Sequence, residues 1–101
     1  MSKNYFVHST ITMGKIFFNM VKTKDPVPRW FAQQISEYLK IISLPVKERE
    51  RNEFILTFKE MAVQEKNSYD FEVLVENLKD ISLELYIKLD LYVELLSCIP
   101  E

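Results

Sequence analysis

Apolar residues recur along this chain at intervals of three and four, the spacing of amphipathic helices, and prolines divide the pattern into segments. In the first segment Ser9 or Thr10 can cap a helix running to about Lys24. Met13, Phe17 and Met20 share one of its faces, and Lys22 and Lys24 suit its C-terminal dipole. The same stretch admits a second reading. Residues 5–11 are rich in β-branched and aromatic side chains, and Gly14 sits where a short β-hairpin could turn before Ile16-Phe17-Phe18. The helix is preferred, with residues 1–8 extended ahead of it.

The second segment opens with Asp25 as a cap and Pro26 or Pro28 in the first helical turn. Phe31, Ile35, Tyr38, Leu39 and Ile42 continue it until Pro45 stops it. The third helix runs from near Pro45 to about Lys66. Residues 47–53 are all charged or polar, and its apolar face begins at Phe54, Phe58, Met61 and Ala62. Its first turns are therefore expected to project past the core into water.

The fourth segment, from Ser68 to about Cys98, reads as one helix of about seven turns. Ser68 or Asp70 caps it, and Phe71, Leu74, Leu78, Ile81, Leu85, Leu89, Tyr92 and Leu96 form a core stripe. Residues 81–95 also alternate strictly between apolar and polar, a strand pattern when taken alone. The run exceeds ordinary strand length, lacks Gly, Asn and Pro, and is rich in Leu, Glu and Lys, so helix is preferred. The fold class expected is all-α: a single domain over residues 1–101, folded as a small antiparallel bundle of three or four helices.

On the helical wheel Leu83, Ile87, Leu91 and Leu95 form a second apolar ridge among the acids Glu72, Glu76, Asp80, Glu84, Asp90 and Glu94. A helix apolar nearly all round is either central in its domain or covered by a partner. A self-associating copy, another protein or the first segment can each cover that ridge. With acidic Glu84 on its rim, the ridge is the candidate partner-binding surface. Arg29 and Trp30 at the entrance of the second helix join it, because both residue types are enriched at interface hot spots.

Composition narrows the chemistry. Among 101 residues there are one Gly, one Cys and one His. A single glycine cannot build the Gly-rich phosphate cradles. A single cysteine cannot form an internal disulfide or a multi-cysteine zinc site. His8 and Cys98 have no nucleophile–base motif around them, and the carboxylates read as solvated faces rather than a catalytic dyad. The expectation is a non-enzymatic protein without cofactor, metal or small-molecule substrate. The lone thiol, and a start with no apolar leader core, place it in the cytoplasm as an expectation; no apolar run has transmembrane length.

The net charge of -2 hides an asymmetry. Residues 1–29 hold five cations against one acid, and residues 67–101 hold two cations against eight acids. Either the basic first segment packs on the acidic fourth, or the two surfaces steer different partners. The function expected is a protein–protein interaction module of the adaptor, chaperone or inhibitor type, acting through the C-terminal helix on a protein partner or a second copy of itself. The competing reading is a dimeric nucleic-acid-associated regulator whose basic first segment meets phosphate. Near-neutral net charge makes nucleic acid the less favoured partner.

Overall fold

The computed structural model describes residues 9–24 and 29–100. The expectations for His8, for an extended segment 1–8 and for capping by Asp25, Pro26 and Pro28 lie outside these residues. Five helices follow in order: α1 (Thr10–Thr23), α2 (Arg29–Ile42), α3 (Glu48–Gln64), α4 (Phe71–Glu84) and α5 (Leu89–Ser97), with a 3₁₀ turn at Pro45–Lys47 ahead of α3. The all-α expectation holds, with five helices where three or four were expected.

The first segment is helical, and the hairpin reading is set aside. The Ser9 hydroxyl accepts from the Thr12 amide at 3.1 Å, which satisfies one of the helix's orphan donors. Gly14 is therefore a mid-helix residue and not a turn. Its role is close approach: a Cβ built on it would lie 3.0 Å from both Cβ and Cγ2 of Thr57 and 3.3 Å from the Phe54 carbonyl oxygen on α3. Thr57 is β-branched and its Oγ1 donates to the Glu53 carbonyl at 2.9 Å, so it has little freedom to yield. Gly14→Ala is expected to lower stability by about 1–2 kcal/mol, because overpacking outweighs the roughly 1 kcal/mol gain in helix propensity. Urea unfolding reads the loss, and it should shrink in a Thr57→Ala background.

That close approach lets four phenylalanines meet. Phe17 and Phe18 of α1 and Phe54 and Phe58 of α3 are fully buried. The Phe18 and Phe58 rings pack edge to face at 5.2 Å, and Phe17 lies 5.6 Å from Phe54 and 6.1 Å from Phe58. Ile35 and Leu39 of α2, Leu74 and Leu78 of α4, and Leu91 and Leu95 of α5 complete the core. Contacts advance together along α1 and α3, from Phe17–Phe54 to an ion pair between Lys22 and Glu65 at 2.9 Å, so these two helices run parallel. They advance together along α3 and α5 as well, from Arg51–Glu94 to Ile55–Cys98. Helices α2 and α4 return the chain between them, which gives the alternating bundle expected from short connections.

The fourth segment departs from expectation. It is two helices, because the chain leaves α4 through a left-handed residue at Tyr86, with φ 55°. The Ile87 amide donates to the Ser82 carbonyl at 3.0 Å and the Tyr86 amide to Leu83 at 3.4 Å, the pair of bonds that closes a Schellman motif. Lys88 is then extended and α5 begins afresh. The start is as expected, with Asp70 accepting from the Glu72 amide at 2.9 Å.

The third helix is also less exposed at its start than its polar run implied. The Arg51 side chain is folded against α5, where its guanidinium pairs with Glu94 and lies 3.5 Å from Asp90. The basic first segment does meet the acidic fourth: Lys24 donates to Asp80 at 2.8 Å. Lys22 instead reaches Glu65, and its carbonyl accepts from the Tyr69 hydroxyl.

These pairs set a pH dependence. The Lys24 ammonium holds the Asp80 carboxyl below the usual carboxylate range, and Lys22, helped by the Ser68 hydroxyl, does the same for Glu65. Asp80 in turn raises Lys24. The carboxylate contributions are present above the unfolded pKa of about 4 and are lost as pH falls through the lower folded values. The Lys24 contribution is present below about 10.4 and is lost as pH rises through its raised folded value. Denaturation midpoints should therefore be flat through neutrality, fall modestly at both extremes, and flatten further in added salt, since all these groups are solvated.

Candidate protein-docking corner

The break at Tyr86 decides which residues face outward. In α4, Ile81 and Leu85 turn inward and Leu83 turns out. Restarting the helix at Leu89 resets the phase, so α5 buries Leu91 and Leu95 and exposes Leu89 and Val93. The expected ridge of Leu83, Ile87, Leu91 and Leu95 is thus divided. Leu83 is 69% exposed, Ile87 is half-buried against the core, and Leu91 and Leu95 are fully buried. Leu91 and Leu95 are core residues here and present nothing to a partner. Leu89, expected in the core stripe, is 74% exposed.

What replaces the ridge is a corner. Leu83 and Leu89 stand on either side of Tyr86, which is 80% exposed. A left-handed C′ position favours glycine, because a Cβ there meets the neighbouring carbonyl at about 1–2 kcal/mol. Tyr86 occupies it while its ring contributes little to the protein's own interior. Two depressions flank this corner. One, of about 250 Å³, is lined by Lys79, Ser82, Leu83, Ile87, Leu89 and Tyr92. The other, of about 320 Å³, lies between α2 and the end of α4 and brings together two expected site residues, Arg29 and Glu84, with Gln33, Lys40 and Tyr86. The Ser36 hydroxyl donates to the Leu85 carbonyl at 3.2 Å, which fastens the turn to α2.

Trp30 is half exposed and meets Phe31 edge to face at 5.5 Å, as a residue at the mouth of α2 and not as part of either depression. Sequence reasoning missed Tyr86 and Leu89. One signal pointed to them: strict alternation through a helix-forming stretch cannot be satisfied by a single helix.

The other candidates are placed as follows. Cys98 is buried at the end of α5, its Sγ 3.2 Å from the Glu94 carbonyl, and burial pushes its thiol pKa up. A raised thiol is a poor nucleophile at neutral pH. Among the described residues no group of three or more His, Cys, Asp or Glu side chains is placed to hold a metal ion. Among them too, no helix is long and apolar enough to cross a membrane. Of Lys15, Lys22 and Lys24, the lysines offered to phosphate in the competing reading, Lys22 and Lys24 are engaged with carboxylates and Lys15 is exposed on α1. Comparison with protein-family models, with curated proteins and with solved structures finds no match to this chain.

Proposed function

We propose that this chain is a non-catalytic protein-interaction module that docks a protein through the α4–α5 corner. One observation carries the reading: Leu83, Tyr86 and Leu89 are among the most exposed large apolar residues described, and they crowd around one turn whose left-handed residue is an aromatic. Leaving such groups in water forgoes about 1.5–3 kcal/mol of burial each. An exposed aromatic beside apolar walls is the composition of an interface hot spot. Glu84, Lys88 and Asp90 supply a polar rim. The masking or bridging action expected of a small adaptor, chaperone or inhibitor needs no more than such a surface.

Tyr86→Gly separates docking from folding. Glycine relieves the left-handed strain and removes the anchor, so stability should hold or rise by up to about 1 kcal/mol while partner binding falls. The direct test places a photo-crosslinking residue at position 86 or 89, and at Lys59 on α3 as control, in cells of the native source. Discrete adducts from the corner, absent at position 59 and abolished by Leu83→Glu with Leu89→Glu, support the reading. Adducts that ignore position, or none, refute it.

A further inference from the structure

We infer that α5 is an exchangeable helix: the turn at residues 85–88 straightens, and α5 of one copy takes the place of α5 in a second copy, reciprocally. The inference concerns the hinge and does not depend on what docks at the corner.

The local backbone favours a straight path. Tyr86 sits in the left-handed region at φ 55°, a conformation that any residue with a Cβ populates about tenfold less than the right-handed one. Helix α5 then starts without a side-chain cap, because Lys88 at its N-cap accepts nothing from the first turn. Residues 81–95 contain no Gly, Asn or Pro and are rich in helix formers. Continuing the helix through 85–88 removes the left-handed residue and places the amides of Lys88 and Leu89 under the carbonyls of Glu84 and Leu85. Local preference and tertiary structure are thus in conflict at this one turn.

What holds the bend is the seat of α5. Leu91 and Leu95 are fully buried in the core. Arg51 of α3 pairs with Glu94 and lies 3.5 Å from Asp90. The Cys98 Sγ lies 3.9 Å from the Ile55 carbonyl oxygen. None of these contacts requires α5 to belong to the chain that receives it. The α5 of a second copy reproduces each of them, so exchange keeps the packing and removes the strain at both hinges, and it opposes only the entropy of association. A short strained hinge is the element through which such exchange occurs.

The hydrophobic pattern agrees. Leu83, Ile87, Leu91 and Leu95 recur every four residues and share one face of a straight helix. The bend divides them, with Leu83 69% exposed and Leu91 and Leu95 in the core. Straightening rejoins them, so that the face which seats α5 in the second copy runs back unbroken to Leu83. The corner exists only while the turn is bent, so exchange and docking at the corner exclude one another.

Sedimentation velocity after incubation at high concentration in mild urea, and return to buffer, tests this. The chain should run as a 12.1 kDa monomer with a slowly interconverting fraction at twice that mass. Tyr86→Gly favours the bend and weakens the helix, and should lower the association constant by about a hundredfold or more, since two hinges act together. Tyr86→Ala keeps the left-handed strain and favours the helix, and should raise it about fivefold. A mixture gives the decisive sign. Arg51→Glu and Glu94→Arg each break the ion pair within a copy, and opposite charges meet only when α5 crosses between the two variants. Mixed, they should form a heterodimer at least tenfold tighter than either homodimer. Circular dichroism checks each fold, and the exposed position 86 keeps the test readable if a charge variant fails to fold. No dimer from wild type, Tyr86→Ala or the mixture overturns the inference. So does a dimer that Tyr86→Gly leaves unchanged, or a mixture that pairs no better than its parts. If exchange fails while a cross-linker at position 86 still captures a protein, the docking corner stands.

Discussion

Leu91→Glu should lower stability by at least about 4–5 kcal/mol, whereas Leu89→Glu, two residues earlier, should leave the fold unchanged. Leu91 is fully buried in the core formed with Leu95 and the phenylalanines. A carboxylate there loses the burial of a leucine and enters an apolar site without a partner, and the combined penalty reaches at least about 4–5 kcal/mol. A domain of this length has about 5–15 kcal/mol in total. Leu89 is 74% exposed, so a charge there stays in water and the change falls within about 0.5 kcal/mol. Far-UV circular dichroism and thermal melts of both variants read the contrast. One continuous helix over the fourth segment would reverse it, with Leu89 inside and Leu91 outside. Equal sensitivity at the two positions would contradict the two-helix geometry.

Phe58→Ala is expected to be nearly as damaging, lowering stability by about 3–5 kcal/mol. Phe58 is fully buried and packs against both Phe17 and Phe18. Truncation removes the ring's transfer free energy and leaves a void between two parallel helices. Those helices cannot close it readily, because their separation is already set by Gly14 against Thr57. In urea the midpoint should fall with an unchanged m-value, as for a loss of packing without loss of cooperativity. Phe58→Leu, which refills most of the volume, should recover more than half of the loss. A Phe58→Ala effect below about 1 kcal/mol would mean that the four-phenylalanine cluster is not the centre of the fold.

Much of this architecture is legible in the residues. Ser9 as a cap, and Met13, Phe17 and Met20 on one face, mark α1 before any coordinate is seen. Pro45 marks the end of α2, and Asp70 the start of α4. What is not legible is the turn at residues 85–88. Sequence reasoning looks for glycine, asparagine or proline where a helix stops, and this one stops on tyrosine. A left-handed tyrosine is held by the two backbone bonds of the turn and by Ser36 on Leu85. The bond from Ser36 is a tertiary contact, and the two backbone bonds, though local, are marked by no residue type that favours the turn. Once the break is missed, a single wheel carries the wrong phase through the last ten residues. Leu89 is then read as core and Leu91 as surface.

The alternation over 81–95 has a physical origin that neither a strand nor a single helix supplies. Ile81 and Leu85 face inward four apart at the end of one helix, and Leu91 and Leu95 face inward four apart in the next. Leu83, Leu89 and Val93 are the outward residues interleaved between them. The odd positions are thus two inward pairs and an outward set superposed, with Ile87 half-buried at the turn between them. The candidate site was half legible for the same reason. Leu83 and Glu84 lie just before the turn and Arg29 lines one depression with Glu84, whereas Tyr86 counts among the polar positions of the alternation and gives no sign of its place.

Cys98 gives the protein a built-in clock. It is the chain's sole thiol, shielded at the end of α5 beside the Ile55 and Glu94 carbonyls. Its low exposure should slow a thiol reagent in the folded state, and lifting of α5 from α3 should speed it. Alkylation rate therefore reports a sub-global opening directly, without an introduced probe. Salt that screens Arg51 from Asp90 and Glu94 should speed labelling, whereas covering the corner at the other end of α5 should hold the helix down and slow it, so occupancy of an outward surface becomes readable from the inside of the molecule.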